Sequence, residues 1–163
     1  MIFIDCSGWG SLIGGVAIGL YNSETREFYS EIMPVEFFQG KKFKEKAYLM
    51  RAASIIFGGL EEILMCSKIT ICRGYIFSMV RDYFEKERFN WKVGIIEEPL
   101  QGYLERKFAE HLIKLGVKPK SDGAHCLSFD DQLKWVKARK SRVKYVKTGW
   151  SSWKNKYSKL VKK

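Results

Sequence analysis

A chain of 163 residues that is 46% hydrophobic is long and apolar enough to fill one core, which excludes disorder as the state of its body. Its four cysteines, Cys6, Cys66, Cys72 and Cys126, show no CxxC spacing, so they read as free thiols of a reducing compartment and not as a disulfide framework. The net charge of +11 is unevenly placed: residues 132–163 hold 12 of the 29 Lys and Arg and none of the 18 Asp and Glu.

The opening residues are strand-like, without a basic leader, and the most apolar later stretch is interrupted by Glu61 and Glu62. No signal peptide or membrane span is expected, and the reading of the cysteines as free thiols points to a cytoplasmic location. Met1 to Asp5 and Leu12 to Tyr21 are rich in Ile, Val and Phe and are separated by Ser and Gly, which predicts two antiparallel strands. A third strand, Glu27 to Met33, follows the polar turn "NSET" and ends at Pro34.

From Lys41 onward, Phe43, Ala47, Met50, Ala53, Phe57, Leu60 and Leu64 recur every three or four residues, the period of an amphipathic helix, with Gly58 and Gly59 as a soft spot. Lys68 to Cys72 reads as a strand, Gly74 breaks it, and Ile76, Val80 and Tyr83 begin a helix. Trp91 to Ile96 gives a fifth strand, and Leu100, Leu104, Phe108, Leu112 and Leu115 a helix that stops near Gly116.

After the loop "KPKSDG", Phe129, Leu133, Val136 and Val143 mark a last helix with Ser128 as its N-cap. Residues 1–147 are read as one domain and 148–163, "TGWSSWKNKYSKLVKK", as a basic tail. Strands one, four and five can run parallel because helices join them, so the expected class is α/β with a mixed sheet.

The motifs, in this order, resemble the ribonuclease H-like superfamily. Asp5, Ser7, Gly8, Gly10 and "GGVA" at Gly14 to Ala17 look like its first strand and turn. "KAYLMRAASII" resembles its first helix, "ITICRGYIFSMV" its fourth strand and second helix, and "FDDQL" the Asp-x-Leu that starts its last helix. The likeness spans about residues 2 to 140; the first-strand and first-helix motifs resemble type 1 ribonuclease H, and the extra helix before the last one the Holliday-junction resolvase branch. It implies a five-stranded mixed sheet of order 3-2-1-4-5 flanked by helices.

The resemblance also implies phosphodiester hydrolysis by Mg²⁺ or Mn²⁺ held between carboxylates, on RNA/DNA hybrid, duplex or junction substrates. Asp5 matches the first acid, and Asp131, with Asp130 beside it, the last. Two expected acids are replaced, one by Tyr48 and one at Arg73 or Gly74. Glu45, three residues before Tyr48, is the candidate substitute ligand, with Glu97 or Glu98 as others. Arg73 reads as an ion-pair partner for Asp5 or a phosphate clamp.

The charge split points to a polyanion, because phosphate contacts release counterions. Lys147, Trp150, Trp153, Lys154 and Lys156 are the candidate nucleic-acid contacts, since aromatic faces stack on bases; packing of the tryptophans onto the body is the alternative. Other features have plain structural readings beside functional ones. Asp5 is also an acid suited to a strand end, Asp130 and Asp131 suit a first helical turn, and His125 is a loop histidine of non-diagnostic spacing. Convergence of Cys6, Cys72, His125 and Cys126 would instead make a soft-metal site. Two functions are therefore carried forward: a metal-dependent nuclease, or an inactive module of the same fold that binds nucleic acid or a protein.

Overall fold

Apolar, β-branched and aromatic runs and the turns between them build three antiparallel strands, β1 (Ile2–Ser7), β2 (Val16–Asn22) and β3 (Glu27–Met33). The computed structural model describes residues 1–63, 68–118 and 127–161. Leu64, Cys66, His125 and Cys126 lie outside the described residues.

The second strand starts later than the pattern predicts. Residues 12–15 turn instead, and Ile13 bridges to Val146. Gly15 marks the crowding at that point, since a Cβ there would sit 1.5 Å from the Met33 carbonyl oxygen.

The helix expected from Lys41 is two helices, α1 (Gly40–Lys44) and α2 (Ala47–Glu62). Lys46 between them takes a left-handed conformation, φ 55°, which ends one helix and redirects the chain before the other. Gly59 does not weaken α2: its missing side chain makes room for Tyr29 and Leu20, whose atoms would lie 2.5 and 2.6 Å from a Cβ. β4 (Ile69–Ile71), α3 (Ser78–Lys86) and β5 (Trp91–Val93) follow, then α4 (Leu100–Lys114) and α5 (Phe129–Lys137).

The last helix does not extend to Val143. It ends at Lys137, and a 3-10 turn spans Lys140–Tyr145. A π-helical turn, Trp153–Tyr157, runs into α6 (Ser158–Val161).

The sheet has the expected order β3-β2-β1-β4-β5, with β1, β4 and β5 parallel. Helices cover both faces. Ile2, Ile4, Ile18 and Leu20 pack with α2 and α3, while Ala17 lies with Leu104 and Phe108 of α4, Leu133 and Val136 of α5, Trp153 and Val161. The segment expected as a tail is therefore part of the second core, because burying Trp153 removes a large apolar surface from water. Among the described residues no helix is long and apolar enough to cross a membrane.

Candidate site at the end of the first strand

Asp5 and Cys6 are successive residues of β1 and leave the sheet on opposite faces. Both nevertheless meet Cys72. β4 stops at Ile71, so β1 runs on past its parallel neighbour, and Cys72 touches the cores on both faces. Its backbone N–H donates to the Ile4 carbonyl at 3.0 Å, holding it beside the strand. One carboxylate oxygen of Asp5 and the sulfurs of Cys6 and Cys72 lie within 4.8 Å of one another.

Burial pushes the Asp5 carboxyl above its usual range, opposed by hydrogen bonds from the Cys72 thiol and the Cys6 backbone. The hydrogen bond with Cys72, burial, and the neighbouring Cys72 and Asp5 charges hold the Cys6 thiol well above its ordinary value, with Lys147 pulling the other way. Both cysteines are free thiols. Asp5 has no ion-pair partner among the described residues.

The turn after β1 is tied to the far end of the chain. Gln132 of α5 is buried, and its Oε1 accepts from Leu12 N at 2.7 Å, Ile13 N at 3.3 Å and the Ser11 hydroxyl at 2.8 Å. Its Nε2 donates to the Leu127 carbonyl at 2.9 Å. Beneath the same turn lies Lys147, only 1% exposed, whose ammonium donates to the carbonyls of Gly8 and, at 3.1 Å, Trp9. Burial lowers its pKa to about 7, against a smaller opposing pull from Cys6. Gln39 then clamps the end of the 3-10 turn before it, donating to the carbonyls of Lys144 at 3.0 Å and Val146 at 2.7 Å.

Several expected site residues lie elsewhere. Glu45 is exposed and paired with Lys41 at 3.6 Å. The break at Lys46 separates it from the helix of Tyr48, so the shared helical face predicted from their spacing does not exist. Tyr48 itself is buried among the rings of Trp9, Phe38 and Phe43, which puts an aromatic core where the resemblance expects an acid.

Arg73 is exposed and makes no ion pair with Asp5. Asp131 serves the start of α5: its backbone N–H donates to the Ser128 hydroxyl at 3.2 Å, and that hydroxyl donates to its carboxylate at 2.7 Å. Lys134 stands 4.0 Å from it, and Asp130 beside it is exposed. Glu97 and Glu98 line a cavity of about 350 Å³ with Phe3 and Tyr21. Among the described residues, neither they nor Glu45, Asp130 or Asp131 belongs to a group of ligand atoms with Asp5.

The candidate nucleic-acid contacts divide in two. Lys147 and Trp153 are buried, and the Trp150 ring packs 5.4 Å from that of Trp9. Trp150 Nε1 is buried without a hydrogen-bond partner among the described residues, and Trp150 lines a cavity of about 30 Å³, room for roughly one water. Lys154 and Lys156 are exposed, with Lys156 set 5.3 Å over the Tyr157 ring. Lys137, Arg139, Lys140 and Lys144 are exposed on the neighbouring elements, and Arg142 stacks 4.2 Å over Trp135.

Sequence reasoning missed Gln132 and Lys147 as the residues that shape the turn. The one signal for Gln132 was its place beside a helix-starting Asp pair; Lys147 gave none, being one lysine in a basic run. No family model, curated protein or solved structure matches the chain.

Proposed function

We propose that the protein is a ribonuclease H-like module that binds nucleic acid and does not hydrolyse it by a two-metal mechanism. The sheet order, the parallel β1, β4 and β5, and an acid on the central strand support the fold assignment. The observation that carries the function is the surroundings of Asp5. Two Mg²⁺ or Mn²⁺ ions need several converging oxygen ligands, whereas the groups that meet Asp5 are two thiols. The described residues do not fit that pair of ions.

Nucleic-acid binding is supported by the cationic surface over α5, the 3-10 turn and the C-terminal helical segment. These elements pack on one another, as the Phe129–Tyr157 and Trp135–Tyr145 ring contacts show, and their exposed Lys and Arg side chains alternate with aromatic faces. Phosphates would meet the exposed cations, and an unpaired base would stack on the Arg142 guanidinium that covers the Trp135 ring.

Fluorescence anisotropy with labelled single strand, duplex, hybrid and junction tests both halves. Binding is expected to weaken steeply with salt, to fall in Lys154→Ala/Lys156→Ala with a salt slope reduced by about 2, and to survive Asp5→Asn. Mg²⁺- or Mn²⁺-dependent cleavage that disappears in Asp5→Asn would overturn the inactive reading. Absence of binding at low salt would overturn the nucleic-acid reading.

A further inference from the structure

We infer that Asp5, Cys6 and Cys72 form a binding site for a single thiophilic divalent cation of the zinc class. Two sulfurs and one carboxylate oxygen are a donor set for a borderline-soft ion and a poor one for Mg²⁺. Spacing agrees with chemistry. Tetrahedral bonds of about 2.3 Å to sulfur and about 2.0 Å to oxygen place donors roughly 3.5–3.8 Å apart. The donors here lie within 4.8 Å of one another, so closing on an ion asks each pair to draw in by at most about 1.3 Å.

The surroundings leave the donors available. Asp5 has no ion-pair partner among the described residues, and the nearby Lys147 ammonium is engaged by the Gly8 and Trp9 carbonyls. No disulfide joins Cys6 to Cys72. Binding releases two thiol protons to solvent and forms two metal–thiolate bonds and one metal–carboxylate bond, leaving one tetrahedral position for water. The resulting site carries one net negative charge, and Lys147 lies close enough to interact electrostatically with Cys6.

The ion would tie β1 to the segment that follows β4, a cross-link between neighbouring strands made without oxidation. This inference does not rest on nucleic-acid binding. It also differs from the soft-metal site conceivable from sequence, because it needs neither His125 nor Cys126.

The experiment uses the full chain, reduced and freed of metal, with Co²⁺ as an optical probe and Zn²⁺ as competitor. One equivalent of Co²⁺ is expected to give a thiolate-to-metal charge-transfer band that Zn²⁺ abolishes and Mg²⁺ does not. Cys6→Ser and Cys72→Ser should each weaken binding at least about tenfold, since even groups behind a ligand matter that much. Asp5→Asn should weaken it while keeping the sulfur band, and Cys66→Ser/Cys126→Ser should retain it.

A measurement on the unaltered protein guards against misfolded variants: one equivalent of Zn²⁺ should protect Cys6 and Cys72 from alkylation. Absence of the band, protection of Cys66 and Cys126 instead, or an Asp5→Asn affinity equal to that of the unaltered chain would overturn the three-donor site.

Discussion

Lys147 and Lys154 belong to one basic run, yet the first is sealed beneath the β1 turn and the second stands in solvent. The difference comes from what each segment meets. Residues 144–149 are laced to Gln39, Leu12 and Phe38, with Lys147 N donating to the Leu12 carbonyl and Gly149 N to the Phe38 carbonyl, both at 2.9 Å. Residues 153–161 dock through Trp153 and Val161 and leave their lysines outward. A cation count therefore overstates the surface offered to a phosphate, because part of it is structural.

The largest test of this contrast is Trp153→Ala. Removing a buried ring from the second core is expected to cost about 3–5 kcal/mol in chemical denaturation, whereas a solvated tail would lose almost nothing. Gln132→Ala comes next, since it strands the Leu12 and Ile13 amides beneath the turn. A loss of about 2–4 kcal/mol is expected. A change under about 0.5 kcal/mol, the usual range for surface positions, would mean that α5 does not hold the turn.

Titration gives a smaller and more selective effect. Below pH 7 the Lys147 amine is protonated in both states, and burying the charge opposes folding. Between about 7 and its ordinary value of 10.5 the folded chain sheds that proton while the unfolded chain keeps it, so stability should rise with pH by up to about 1.4 kcal/mol per unit. Cys6 has the opposite sign. Its raised thiol keeps a proton in the folded state that the unfolded chain loses above about 9, so the clean window is pH 7 to 9.

Denaturation of Lys147→Met across that window should show the slope flattened, and an unchanged slope would separate it from Lys147. The least stability effect belongs to Lys154→Ala/Lys156→Ala. Those exposed positions should stay within about 0.5 kcal/mol of the parent by thermal unfolding.

Much of the fold was legible because its signals are local. The Ile, Val and Phe runs of β1 and β2 with the turn residues between them, the three-to-four spacing of Ala53, Phe57 and Leu60, and Ser128 before "FDD" each report on residues close in the chain, and β3 does stop before Pro34. The α1–α2 break escaped because the apolar period continues across Lys46, while the turn depends on that residue's left-handed backbone. The early end of α5 escaped for a similar reason: Val143 keeps helical spacing but lies in a 3-10 turn. Of the candidate site, Asp5 was singled out in the sequence as a ligand among carboxylates, whereas the thiols that surround it were read mainly as ordinary free cysteines.

Sequence alone determined the class of elements, their order and the charge imbalance, since periodicity and composition are properties of neighbouring residues. Only the tertiary structure decided what Asp5 faces. Residues 5, 72, 132 and 147 are brought around one turn by strand pairing and by two cores on opposite faces of the sheet. Long-range packing supplied thiols and a buried lysine there, and it turned Glu45 to solvent and Asp131 to a helix cap.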